Sequence, residues 1–201
     1  TEICPDLHGG TAVSLADRLN SAFDRIISPE LLGNAGIGNE IGFYIFDYPA
    51  EQELFVRQWL TALPGHLFKR CPNLRFRMVN MFQLAVDYLK ERKILEAAYA
   101  MQRSRDNAAL LAALRGPLNE TKLADFFVRR VKPEEQQLVL LHGVGECWPL
   151  LRSHALLNNL HSRMGHTPLV MFYPGIYDQQ SLSLFGKLPA QNYYRAFRLV
   201  P

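Results

Sequence analysis

A chain of 201 residues with 48% hydrophobic and 20% charged side chains, 13 glycines and 12 prolines has globular proportions, which excludes disordered, collagen-like and disulfide-scaffold classes. At this length roughly 70% of the unfolded surface is buried on folding, so the core needs no metal or disulfide staple. A net charge of +3 is too small to specify nucleic acid, and the odd, widely spaced Cys4, Cys71 and Cys147 fit neither a disulfide framework nor a zinc site.

Leu15, Leu19, Phe23 and Ile26 recur at helical spacing within residues 11–28, predicting an amphipathic opening helix that Pro29 ends. Residues 33–38 are a glycine-rich loop, and residues 41–47 are apolar and β-rich, a buried strand closed by Tyr48 and Pro49. A helix is expected over about residues 50–63, stopped by Pro64 and Gly65. Residues 74–81 alternate basic and apolar side chains, as in Arg75, Phe76, Arg77 and Met78, which predicts a strand near a sheet edge. Residues 82–132 read as helical with a main break at Gly116 and Pro117. Residues 137–142 form the most hydrophobic strand, and Gly143, Val144 and Gly145 turn it toward a helix beginning near Pro149. A further strand over residues 168–173 ends at Pro174 and Gly175, and a last one covers residues 193–200. Strands separated by helices imply βαβ crossovers. The expected fold is one α/β domain over residues 1–201, Rossmann-like and three-layered, with a mostly parallel sheet of about five strands flanked by helices.

No stretch reaches the roughly 18 apolar residues of a membrane helix, and residues 1–10 lack the regions of a signal peptide, so a soluble, cytoplasmic protein is expected with no membrane contact. The first ten positions carry no functional weight. Charge is unevenly spread. Lys69, Arg70, Arg75 and Arg77 lie between His66 and Asn80 with no acid among them, as do Lys187, Arg195 and Arg198 after Asp178. Such runs are solvated edges or a surface for a polyanion or an acidic partner.

No intact catalytic motif is present. Residues 33–40 mimic P-loop spacing, but Asn39 stands where the phosphate-binding Lys belongs and Glu40 where the magnesium-binding hydroxyl belongs. Gly143 and Gly145 lie between a strand and a helix, yet Trp148 takes the third glycine position of a dinucleotide fingerprint, and Glu146 would crowd an anion there. No serine lies in G-x-S-x-G. Cys147 with His142 or His154 is a conceivable nucleophile pair, though a buried inert thiol is the commoner state. His154, Asn158 and His161 share a helix face, but helix rise sets the two histidines about 10 Å apart, too far to chelate one ion. No cofactor or metal is therefore expected. Asp47 ends the first strand, where open α/β sheets place ligand-contacting residues, or serves as a turn acceptor before Pro49. Tyr193, Tyr194, Arg195, Phe197 and Arg198 interleave aromatic and basic groups as single-strand binders do, but alternation splits the arginines between two faces, which favours a structural strand.

Several runs carry a family resemblance. Gly38-Asn39-Glu40-Ile41 precedes Phe43-Tyr44-Ile45-Phe46-Asp47-Tyr48. Later come Gly143-Val144-Gly145, Pro149-Leu150-Leu151-Arg152-Ser153-His154, Leu156-Leu157-Asn158-Asn159-Leu160 and Phe172-Tyr173-Pro174-Gly175. Tyr177-Asp178, Gln180-Ser181-Leu182, Leu184-Phe185-Gly186 and Asn192-Tyr193-Tyr194-Arg195-Ala196-Phe197-Arg198-Leu199 complete the set. Together they resemble BrxB, the small core component of BREX bacteriophage-exclusion systems, over about residues 13–201 and most densely after Gln137. The resemblance implies a non-enzymatic cytoplasmic subunit of an antiviral system that marks host DNA by adenine methylation and blocks phage replication. It implies an adaptor that binds PglZ, a protein with an alkaline-phosphatase-like domain, among other BREX components, with DNA contacted only indirectly or weakly. An adaptor needs exposed aromatic anchors and a few arginines. Tyr177, Asp178, Arg152 and Arg195, with Asp47, are the partner- or ligand-binding candidates, Tyr177 being expected on a loop or short helix with Leu184 and Phe185. The alternatives are a degenerate nucleotide or phosphoester site built from Asp47, His142, Gly143 and Gly145, and a DNA-binding accessory protein using the basic C-terminal stretch.

Overall fold

The first helix, α1 (Leu15–Ile26), begins where Ser14 Oγ accepts the Asp17 N–H at 3.1 Å, and it buries Leu19, Ala22 and Ile26 on one face. The structure, a computed structural model, describes residues 13–33, 42–188 and 196–201, with His154 described by its backbone alone. The P-loop mimic, apart from Gly33, and Arg195 with Tyr193 and Tyr194 lie outside the described residues. Ser28 caps the single turn α2 (Pro29–Leu32). Strand β1 (Phe43–Tyr48) is buried at all six residues, as a central parallel strand covered on both faces requires.

Helix α3 (Glu53–Arg70) corrects one expectation, because it runs straight through Pro64 and Gly65. Val56, Leu60, Leu63 and Leu67 form a buried stripe spanning the proline, and that packing outweighs an interior proline costing about 3 kcal/mol. Strand β2 (Phe76–Asn80) stops short of Met81 because Asn80 Oδ1 accepts the Gln83 N–H at 2.9 Å and caps α4 (Met81–Glu91). Helices α5 (Leu95–Ser104), α6 (Asn107–Arg115) and α7 (Glu120–Val131) follow, with the expected break between α6 and α7.

After β3 (Leu138–His142) the chain makes a short turn over Gly145–Cys147, and α8 (Ser153–His161) starts only beyond Arg152. The helix expected near Pro149 is displaced because Cys147 and Leu151 are both buried, and the Leu151 N–H closes a separate turn on the Cys147 carbonyl at 3.0 Å. The Trp148–Pro149 peptide within it is cis. Strand β4 (Leu169–Tyr177) likewise continues past Pro174 and Gly175. Its last residues leave the parallel layer and pair antiparallel with β5 (Leu182–Leu184), where the Pro174 carbonyl accepts the Phe185 N–H at 2.8 Å. Strand β6 (Phe197–Arg198) is the described remnant of the last predicted strand.

The parallel strands run in the order β2-β3-β4-β1-β6. The chain crosses from β1 to the far edge at β2 over one face, then returns through β3 and β4 over the other. Two cores result. Tyr44, Phe46, Leu138, Leu140, Val170 and Phe172 pack beneath α1 and α3, and Phe43, Ile45, Val139, Leu141, Leu169 and Met171 pack beneath α4, α7 and α8. The three-layer α/β architecture with a mostly parallel sheet is the one expected. Among the described residues no helix is long and apolar enough to cross a membrane.

The β4–β5 hairpin depends on Gly175. A Cβ there would lie 2.2 Å from the Ser183 carbonyl oxygen and 3.0 Å from the Phe185 amide, both backbone atoms that cannot move aside cheaply. Gly175→Ala is expected to lower stability by roughly 2 kcal/mol in urea denaturation, the usual scale of overpacking, while Gly65→Ala, which meets nothing within 4 Å, does not.

Candidate functional site

The carboxyl edge of the parallel sheet brings together Asp47, Tyr177 and the glycines after β3. Asp47, the fifth residue of β1, is buried there with both carboxylate oxygens engaged. Oδ1 pairs with Arg18 Nη2 of α1 at 3.1 Å, while Oδ2 accepts the Tyr177 N–H at 3.1 Å and faces Arg198 Nη2 at 3.5 Å. Arg18 in turn donates from Nε to the Pro201 carbonyl at 2.8 Å and lies 5.0 Å over the Phe46 ring. Arg198 donates to the Tyr177 carbonyl, and the Tyr177 hydroxyl to the Ala196 carbonyl at 2.6 Å. Asp47 thus serves its own fold as the knot joining α1, β1, β4 and β6.

Tyr177 is the clearest correction. Expected as an exposed anchor on a loop or short helix, it ends β4 and is fully buried, because the extended backbone turns Ile176 outward and Tyr177 inward. Ile176, 56% exposed, is the residue that reasoning missed. Its signal was the apolar, β-prone pair Ile176 and Tyr177 continuing the run beyond Pro174 and Gly175. Asp178 is exposed and organises its own turn, accepting from the Gln180 N–H at 2.9 Å, the Ser181 N–H at 2.6 Å and the Ser181 hydroxyl at 2.6 Å. The Ser181 hydroxyl and these amides hold its carboxyl below the usual range. Arg152 is exposed on the connection entering α8. The structure therefore joins Asp47 to Tyr177, places Asp178 one residue further along the chain, and leaves Arg152 on a different loop.

The two glycines after β3 serve packing. Gly143 has φ +71°, and a Cβ on it would fall 2.6 Å from the Asn80 side chain that caps α4. A Cβ at Gly145 would lie 3.0 Å from the Phe185 ring and 3.1 Å from Pro174. Phe185 also meets Trp148 edge to face at 6.5 Å. Phe185 and Pro174 from the β4–β5 hairpin thus pack against this turn, where a dinucleotide fold admits phosphate.

Beside it runs a polar chain. The Tyr48 hydroxyl donates to Glu53 Oε2 at 2.6 Å, and Arg57 bridges Glu53 Oε1 at 2.8 Å to Glu146 Oε1 at 2.7 Å. Burial, reinforced by Glu53, pushes the Tyr48 phenol far up. Two open grooves flank this chain. One of about 230 Å³ is lined by Glu53, Arg57, Gly145, Glu146 and Phe185, and one of about 330 Å³ by Arg18, Asp47, Glu51, Ile176 and Phe185. Burial and the Glu146 charge push the Cys147 thiol up to about 12, far from the thiolate a nucleophile needs. His161 packs edge to face on Phe43 at 5.4 Å, and among the described residues no three His, Cys, Asp or Glu side chains converge as a metal site would require.

Two outcomes follow from this geometry. Asp47→Ala strands two arginines and the Tyr177 amide, so a stability loss of about 3 kcal/mol is expected by urea denaturation. Burial is the main cause holding the His142 imidazole below its usual value. The unfolded chain therefore takes up the proton first as pH falls below about 6.5, so His142's contribution is complete above that pH and is lost below it. Stability measured between pH 8 and pH 5 (a range of roughly the imidazole titration) should fall less steeply in His142→Gln than in the parent.

The comparisons with known proteins agree with one another. The family model described as BREX protein BrxB matches residues 77–199. A curated BREX protein BrxB from Escherichia coli O9:H4 (strain HS) is 46% identical over 184 residues, covering 92% of this chain and 90% of that protein. Another from Bacillus cereus (strain H3081.97) is 38% identical over 188 residues, covering 92% of this chain and 96% of that protein. No solved structure matches. With identity of this extent along nearly its whole length, the chain belongs to the BrxB family of BREX defence-system proteins.

Proposed function

We propose that this chain serves its BREX system as a non-enzymatic adaptor, holding a PglZ-like partner against the carboxyl edge of its sheet. The observation that carries the reading is where the exposed apolar side chains lie. Of the eight large hydrophobic residues exposed among the described residues, Leu54, Phe55, Phe82, Trp148 and Ile176 all follow or extend the carboxyl ends of the parallel strands. Large apolar side chains gathered at one end of a fold mark a surface that another protein covers. The polar groups at the same edge support the reading too. Asp47, Glu53, Arg57 and Glu146 are paired with one another or with the protein's own backbone.

Co-expression with the other proteins of the defence locus, followed by capture of this chain at about 0.5 M salt, where surface charge is screened, tests the reading. A PglZ-like protein retained by the parent and released at least about tenfold by Trp148→Glu with Ile176→Glu is the expected result. Retention by that variant, with unchanged thermal stability, would remove this edge as the interface. No retained partner for the parent would remove the adaptor reading.

A further inference from the structure

Strand β2 lies at one end of the sheet and pairs only with β3 among the described residues. The Arg75 carbonyl accepts the Gln137 N–H at 2.7 Å and so faces β3. Backbone alternation then turns the N–H and C=O groups of Phe76 and Met78 toward the open side. The row they form is a template for one more strand.

The side chains around that row select what pairs with it. Arg75, just before β2, and Arg77 within it are exposed, as are Lys69 and Arg70 at the end of α3. Lys132, beyond α7, lies within electrostatic reach of Arg77. The acids nearby are Glu134 and Glu135, and Glu135 is already paired with Lys132 at 2.9 Å. Arg75 uses its Nε on the Glu135 carbonyl at 2.9 Å and keeps its charge. A second copy of this chain would bring the same cations and be repelled. A nucleic acid would satisfy the cations and the outward N–H groups, yet its phosphates would face the outward carbonyls, which need donors. An extended acidic peptide supplies donors, acceptors and negative charge together.

We propose that β2 is an augmentation edge that captures an extended, acidic segment of a partner protein as an additional strand of the sheet. The site is separate from the apolar carboxyl edge and does not depend on the adaptor reading given to that edge. Backbone pairing supplies the affinity, and the Arg75 and Arg77 row selects glutamate or aspartate at alternate positions.

The test is fluorescence anisotropy of the full chain with a labelled peptide of about ten residues alternating glutamate and valine, a length that spans a strand. The same peptide with N-methyl groups on alternate amides keeps its charge but cannot pair, and a single-stranded oligodeoxynucleotide serves as the polyanion control. Saturable binding of the first peptide is expected, weakened by about tenfold or more on N-methylation, by Arg77→Glu and by Met78→Pro. Arg77→Glu keeps the test decisive if Met78→Pro does not fold, since Arg77 is exposed. Equal binding of the parent and N-methylated peptides, or tighter binding of the oligonucleotide, would overturn strand addition in favour of a polyanion surface. No binding of the first peptide at about millimolar concentration in low salt would overturn the proposal outright.

Discussion

A carboxylate at the end of a buried parallel strand has to be neutralised where it stands, and the way Asp47 is neutralised governs the carboxyl edge of this molecule. Desolvating an ion costs several kcal/mol, which only close opposite charge and hydrogen bonds offset. Arg18, Arg198 and the Tyr177 amide supply them from three elements that are remote in sequence. Helix α1 is thereby fixed against β1, the extension of β4 is drawn across the sheet end, and β6 is held in register. Arg198 sits in a stretch that looks like a free basic run in the sequence, yet it pairs with Asp47 and donates to the Tyr177 carbonyl.

The same constraint bears on chemistry. Open α/β sheets bind ligands in a crevice beyond their carboxyl ends, where connections leave in opposite directions. Here β1 leaves toward α3 while β3 leaves toward α8, so the topology offers such a crevice. The β4–β5 hairpin lies across it, with Phe185 and Pro174 against Gly145, and Arg57 ties α3 to Glu146 on the loop after β3. Among what the edge turns to solvent are the large apolar side chains Trp148 and Ile176. Arg57, Glu53 and Glu146 are paired with one another along this edge.

Much of this was legible in the residues. The continuous apolar runs of β1 and β3 announced buried parallel strands, the basic alternation of β2 announced an edge, and the glycine pair after β3 announced a tight turn. Two failures share a cause. Pro64 and Pro174 were each read as a stop, but local propensity yields to packing when buried residues continue on both sides, as Leu60, Leu63 and Leu67 do around Pro64. Reading the strand on past Pro174 would have set Ile176 and Tyr177 on opposite faces, the first exposed and the second buried. The role of Asp47 was out of reach for a different reason. Its partners lie 29, 130 and 151 positions away, and no local pattern encodes such a meeting.

The two surfaces proposed for partners differ in physics. Apolar contact at the carboxyl edge strengthens as salt competes away charge, whereas attraction to the cations along β2 fades over a Debye length of about 8 Å at physiological ionic strength. One surface suits a lasting partner, and the other suits steering and reversible capture of an acidic strand. They lie on different sides of the molecule, since the edge of β2 runs along the sheet's flank while Trp148 and Ile176 sit at its end. If both proposed surfaces are used, the sheet between them sets the spacing of the two partners.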